Sequence, residues 1–249
     1  IAQGEMLPVL VSGDDEVGQL GTAYEKMRIR LRARLEELGL LLGVSQAVAS
    51  SLDLESSLPP ILDAAQFVTD AAGVRLLVGA ASAEGNEITS FQHGEVAAQM
   101  AALDSELLGL VEREGPLTIE NLARARAVLD VARVLPEIQS LIALPLYHET
   151  NYLGALWLGF DHTRAFIDNE TSFLKTLAGQ AAVAIANAKL YEVSEGGRQQ
   201  LQAILSSTPD AVIVTDWRDR LLLINPAAEA VFELNGAALE NKPFREVLQ

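Results

Sequence analysis

The sequence predicts an α+β protein in which an antiparallel sheet domain is flanked by long helices of coiled-coil type. Three observations carry that prediction. Apolar residues recur at 3-4 spacing from Val17 to Leu42, short extended runs alternate with helical ones through the middle, and an alanine-rich helical pattern follows Asp168.

The first pattern consists of Val17, Leu20, Tyr24, Met27, Leu31, Leu35, Leu38 and Leu42. Its 3-4-3-4-4-3-4 spacing keeps a narrow stripe on one side of a helix, the seam of a coiled coil. The successive four-residue steps from Met27 through Leu31 to Leu35 form a stutter, which locally unwinds a supercoil. Arg28, Arg30, Arg32, Arg34, Glu36 and Glu37 leave little else on this helix to bury. Gly39 and Gly43 stand one turn apart, read either as tolerated glycines or as a place where two backbones approach. After Ser50-Ser51-Leu52-Asp53, Ser57 reads as an N-cap with Pro59 and Pro60 in the first turn of a second helix. That helix runs to about Asp70 and is stopped by Gly73.

Val74 to Ala80 reads as a strand and Glu87 to Phe91 as its hairpin partner, with a helix over Val96 to Val111. Ser140 to Tyr147 and Tyr152 to Phe160 form a hairpin pattern around His148 to Asn151. Asp168 is placed as an N-cap, with Glu170 in the first turn of a helix carrying Phe173, Leu174, Leu177, Ala181, Ile185, Ala188 and Tyr191 toward Val193. Gly196-Gly197 is expected to interrupt it, as a hinge or a helix end, before Leu201, Ile204 and Leu205 resume. Beyond Thr208-Pro209, Ala211 to Thr215 and Leu221 to Ile224 read as two strands, and Asn225-Pro226 opens a helix through Phe232. Two strands alone do not make a stable sheet, so the end at Gln249 is expected to be a cut. The first residue, not a methionine, is read in the same way.

Composition excludes several functions. A formal charge of −16 and a pI near 4.5 disfavour nucleic acid as a partner. The lack of cysteine removes disulfides, thiolate metal sites, a cysteine nucleophile and any covalently attached bilin. No apolar run approaches the roughly 20 residues of a membrane span.

Few residues suggest chemistry. His148-Glu149 matches only the opening of a histidine-kinase phosphoacceptor box, in a predicted hairpin followed by Thr150-Asn151-Tyr152. His93 and His162 are isolated, and Asp14-Asp15-Glu16 lacks the loop glycine and distal glutamate of a calcium site, so no metal site is expected. No nucleophile is paired with a base and no phosphate-binding loop is found, so no catalytic residue is assigned. Phe91, Tyr147, Trp157 and Phe160 either line a pocket or fill a core.

Gly4-Glu5-Met6, Asp15-Glu16-Val17-Gly18-Gln19-Leu20, Tyr24 and Met27 resemble the connector and second helix of a HAMP domain, with Met6 and Leu10 as core-facing connector residues. Leu117 to Leu122, Leu144-Pro145-Leu146, Tyr152 to Leu156, Phe166, Glu170 and Ala178 to Ala188 resemble a GAF domain. The asparagine-lysine pair linked to cyclic-nucleotide binding in that family is not found. Pro209 to Asp216, Ile224-Asn225-Pro226-Ala227-Ala228-Glu229 and Gly236 resemble the first half of a PAS domain.

These resemblances imply the end of a HAMP domain over residues 1–35, a signalling helix over 36–52, a GAF domain over 53–191, a linker helix over 192–208 and the start of a PAS domain over 209–249. They further imply the cytoplasmic relay region of an inner-membrane two-component sensor histidine kinase, working as a parallel homodimer. The cofactor is unknown and the partners are a second copy, a downstream output domain and a small molecule in the GAF domain. The alternative is a GAF small-molecule sensor controlling a different output, such as a cyclase or phosphatase.

Overall fold

The structure is a computed structural model that describes residues 16–79, 88–125, 129 and 137–232. The HAMP-like residues Gly4 to Asp15, Met6 and Leu10 among them, lie outside the described residues, as does Gly236. The chain divides into two compact units that meet in sequence at Ala188 and Lys189.

The first unit opens with helix α1 (Glu16–Ser50), a short α2 (Leu54–Ser57) and α3 (Pro59–Thr69). Its sheet contains β1 (Gly73–Val78), β2 (Thr89–His93), β3 (Leu117–Ile119), β4 (Ser140–His148) and β5 (Asn151–Phe160) in the order β2-β1-β5-β4-β3. Every pairing is antiparallel. Between β2 and β3 lie α4 (Ala97–Met100), a 3₁₀ turn (Ala101–Leu103) and α5 (Asp104–Glu114). Helix α6 (Asp168–Ser207) begins in this unit and ends in the next. Mixed helix and antiparallel sheet is the architecture expected from sequence.

Strand alternation explains why both faces of the sheet are covered. Val74, Leu76, Ile142, Leu144, Leu156, Leu158 and Phe160 join one core with residues of α1, α3 and α6. Their alternates Leu77, Leu141, Ala143, Ala155 and Trp157 join a second core with Leu107, Leu108 and Val111 of α5. Gly154 allows β5 to lie against β1: its φ is +151°, and a Cβ there would overlap the Leu77 carbonyl oxygen.

Four local expectations need correction. Ser57 does not cap α3; its hydroxyl donates to the Asp53 carbonyl, while Leu58 precedes the two prolines without a side-chain cap bond. Asp53 instead caps α2, accepting from the Glu55 N–H. The helix read over Val96 to Val111 is broken by the 3₁₀ turn, which brings Asp104 over Arg75 of β1. Helix α6 starts at Asp168 itself and runs through Gly196-Gly197 without interruption, so the helix-end reading of that pair is wrong. Glycine lowers helix propensity by about 1 kcal/mol relative to alanine but leaves the backbone bonds available. Here the Glu195 carboxylate also straddles the pair, accepting from Arg198 at 2.7 Å and Gln199 at 3.1 Å.

The second unit contains the rest of α6, the hairpin β6 (Ile213–Thr215) and β7 (Leu221–Ile224), and α7 (Pro226–Phe232). Asp216 closes the hairpin by accepting from the N–H groups of Arg218 and Arg220, both at 2.8 Å. These bonds lower its carboxyl below the ordinary range. Asn225 is buried and caps α7 through its Oδ1, which accepts from Ala228 N–H at 3.0 Å. The same oxygen accepts from Val212 N–H, and Nδ2 donates to the carbonyls of Leu205 and Asp210 at 3.0 and 2.9 Å.

Candidate functional site

Helix α1 has two apolar sides with different fates. Val44 and Val48 are buried in the helix-side core and Leu41 packs against it. At about 100° per residue, the seam falls on a different side of the helix. All eight seam residues, Val17, Leu20, Tyr24, Met27, Leu31, Leu35, Leu38 and Leu42, are exposed, from 42% at Tyr24 to 70% at Val17 and Leu20. An ordinary amphipathic helix covering its own core would bury these positions. Gly39 and Gly43 flank the seam, and no atom lies within 4 Å of where a Cβ would stand on either. Within the described chain they therefore mark no close backbone approach.

The four aromatic candidates do not share one cavity. Trp157 and Phe160 are fully buried on opposite faces of the sheet, because three steps along a strand change the side. Phe91 packs with the Phe160 side. Tyr147 is half exposed and meets Tyr152 edge-on, with ring centroids 5.5 Å apart. Tyr152 in turn donates its hydroxyl to the Leu108 carbonyl at 3.0 Å, and burial, followed by Glu112, raises its phenol above the ordinary value.

Sequence reasoning missed the polar group at the centre of the second core. Arg75, 3% exposed, donates to Asp104 through Nε at 2.8 Å and also through Nη2. Its Nη1 donates to Gln92 Oε1 at 2.6 Å and to the Ala97 carbonyl at 2.8 Å. Trp157 Nε1 donates to the same Asp104 carboxylate at 3.0 Å. A buried ion pair is tolerated when its remaining hydrogen-bonding groups are occupied, as they are here. The available signal was one arginine in the otherwise apolar strand Gly73–Val78.

A second missed group ties β5 to the start of α6. Arg164 Nη2 donates to both Glu170 oxygens, at 2.8 and 2.6 Å, and Nη1 donates to the Thr69 carbonyl at 2.9 Å. The guanidinium also sits 4.6 Å from the centre of the Phe160 ring. Glu170, named as part of the GAF resemblance, is thus a buried acid with a committed partner.

The histidines remain separate. His148 ends β4 at a turn where Glu149 has a φ of +54°. His93 pairs with Asp63 at 2.9 Å and His162 with Asp161 at 2.7 Å. Among the described residues no group of three or more acids, histidines or cysteines could hold a metal, and no helix is long and apolar enough to cross a membrane.

Comparison with known proteins agrees with this architecture. The GAF domain family matches residues 51–186, and the PAS fold matches residues 199–249. The chain therefore belongs to the GAF domain family, with a PAS match after it. No curated protein matches it significantly. A GAF domain from an Acinetobacter phosphoenolpyruvate-protein phosphotransferase superposes with a TM-score of 0.51 at 18% identity, covering 62% of this chain and 95% of that one. Free methionine-R-sulfoxide reductase from Neisseria meningitidis, solved with its substrate, gives 0.51 at 16% identity, covering 64% and 93%. The GAF domain assigned to a sensor histidine kinase from Pseudomonas syringae pv. tomato gives 0.49 at 17% identity, covering 70% and 99%. The first two likenesses, at 18% and 16% identity, establish the fold alone.

Proposed function

We propose that this chain is the relay region of a membrane-anchored two-component sensor histidine kinase and acts as a parallel homodimer. In this reading residues 1–35 end a HAMP domain, 36–52 form a signalling helix, 53–191 the GAF domain, 192–208 a linker helix and 209–249 the start of a PAS domain. The carrying observation is the exposed seam of α1 on a helix whose other apolar side is already buried in the GAF core. A second copy covers the seam through Val17, Leu20, Tyr24, Met27, Leu31, Leu35, Leu38 and Leu42.

Relay then follows from shared packing. Val44 and Val48 of α1 belong to the same core as Phe173, Leu177, Ala181 and Ile185 of α6. A displacement of α1 that exchanges one packing at the stutter for another changes what those α6 residues pack against. Coupling free energies of about 1–3 kcal/mol, typical of allosteric proteins, suffice to change a downstream kinase severalfold or more.

The test is phase. One residue inserted between Leu31 and Leu35 in the full-length parent turns the preceding seam by about 100°, whereas a seven-residue insertion restores its side. Kinase output should change strongly with the first and recover with the second. Equal output from both lengths would remove the relay reading.

A further inference from the structure

The core-facing side of α1 changes character along its length. Val48 and Val44 are buried in the helix-side core and Leu41 packs against it. Followed back along the same side, at about 100° per residue, the next positions are Glu37, Arg34 and Arg30. The wall opposite them stays apolar. Phe67 and Val68 at the end of α3, with Ile167 and Phe173 around the start of α6, share with these α1 residues a cavity of about 700 Å³. Phe67 and Ile167 are 75% and 63% exposed, so this wall carries apolar surface that α1 does not cover.

Most charges around the cavity are already paired. Glu37, only 8% exposed, accepts from Arg34 Nη1 at 2.6 Å through Oε2, and its Oε1 has no hydrogen-bond partner among the described residues. Arg164 and Glu170 hold each other on the opposite wall, and Glu36 pairs with Arg32. Arg30 and Asp70 also border the cavity, and neither side chain has an ion pair or hydrogen bond among the described residues. One uncommitted cation, one uncommitted anion and the second oxygen of a buried carboxylate therefore surround one apolar wall.

We propose that this cavity binds a small zwitterion with an apolar body, of the class of an apolar dipeptide. Its carboxylate pairs with Arg30, its ammonium donates to Glu37 Oε1 and pairs with Asp70, and its side chains cover Phe67 and Ile167. A ligand of one sign alone leaves one set of these groups unmatched. Arg30 and Glu37 stand two turns apart, ~10.5 Å along α1. Charges separated by a peptide unit, at up to ~3.6 Å per residue, suit that span better than the adjacent charges of a single amino acid. The volume falls within the roughly 300–1,000 Å³ of small-molecule sites. The site is on the helix side of the sheet, away from the Trp157 face. Arg30, Ala33, Glu37 and Leu40 lie about 100–180° around α1 from Leu31, so a second copy on the seam leaves it open and binding does not depend on the dimer.

Isothermal titration calorimetry of the whole chain with leucyl-phenylalanine tests the proposal, beside the same dipeptide acetylated at its N-terminus and amidated at its C-terminus. The free dipeptide should bind at least tenfold more tightly than the blocked one. Arg30→Gln, on an exposed residue, should keep the circular dichroism of the parent and weaken the free dipeptide about tenfold, as should Phe67→Ala. Lys175→Gln, the same loss of charge on an exposed residue of α6 outside the cavity, should leave the affinity unchanged. Binding should slow amide exchange over residues 66–70 and 167–173. No binding of the free dipeptide, equal affinity for the blocked one, or equal effects of Arg30→Gln and Lys175→Gln overturns the proposal. Protection confined to residues 97–114 overturns it too, because the ligand would then sit on the Trp157 face.

Discussion

Asp104 is the residue whose loss should destabilise the GAF unit most clearly. Asp104→Leu leaves the Arg75 guanidinium buried with only Gln92 and the Ala97 carbonyl as acceptors, and deprives Trp157 Nε1–H of its acceptor. Breaking one side of a buried ion pair costs about 3–5 kcal/mol, and an orphaned buried donor adds about 1–3 kcal/mol. The sum, at least about 4 kcal/mol, is a large share of the roughly 5–15 kcal/mol that holds a domain folded. Arg75→Met combined with Asp104→Leu removes the stranded charge, so the double variant should be more stable than Asp104→Leu alone. The chain has two tryptophans, of which Trp157 is fully buried and Trp217 is 84% exposed. In a Trp217→Phe background, urea unfolding followed by Trp157 fluorescence and circular dichroism reads the GAF unit. Asp104→Leu within about 1 kcal/mol of its parent would refute the reasoning, as would a double variant whose cost equals the sum of the single costs.

Three further outcomes follow from local geometry. Gly154→Ala, which drives a Cβ into the Leu77 carbonyl at a φ of +151°, should cost about 1–3 kcal/mol or more in the same urea assay; a neutral result would mean β5 and β1 are not so closely apposed. Arg164→Ala strands the buried Glu170 carboxylate and should lower stability by about 3 kcal/mol, with faster amide exchange over residues 168–175, and unchanged exchange there would separate Arg164 from the start of α6. Tyr152 has a folded-state value raised above 10.0, so its proton is held more tightly in the folded chain. Its contribution is fully present below pH 10 and is lost as pH rises toward the raised value, so Tyr152→Phe should flatten the alkaline fall in stability measured by urea titration.

The parts of the fold with a strong period were legible in sequence, and those set by distant partners were not. Helix α1, the β4 and β5 hairpin and the β6 and β7 hairpin follow from 3-4 spacing, alternating strands and turn residues. The break before α5 was invisible because it depends on Asp104 reaching Arg75 and Trp157, 29 and 53 residues away. Gly196-Gly197 was misread since propensity alone ignores the Glu195 pairs that span it. The aromatic residues at 91, 147, 157 and 160 looked equivalent in a one-dimensional pattern, yet the pleat sends Trp157 and Phe160 to opposite faces. The helical period of α1 was readable in advance because it does not depend on what covers its apolar stripe.

Whether the α1 seam joins two copies is measured directly by sedimentation equilibrium of the whole chain at micromolar concentration. The wild type should be a dimer, and Leu31→Glu with Leu38→Glu should be a monomer with unchanged circular dichroism, because pairing would bury unpaired charges on residues that are exposed in the single chain. A monomeric wild type, or a dimer that survives both substitutions, would contradict pairing through the seam.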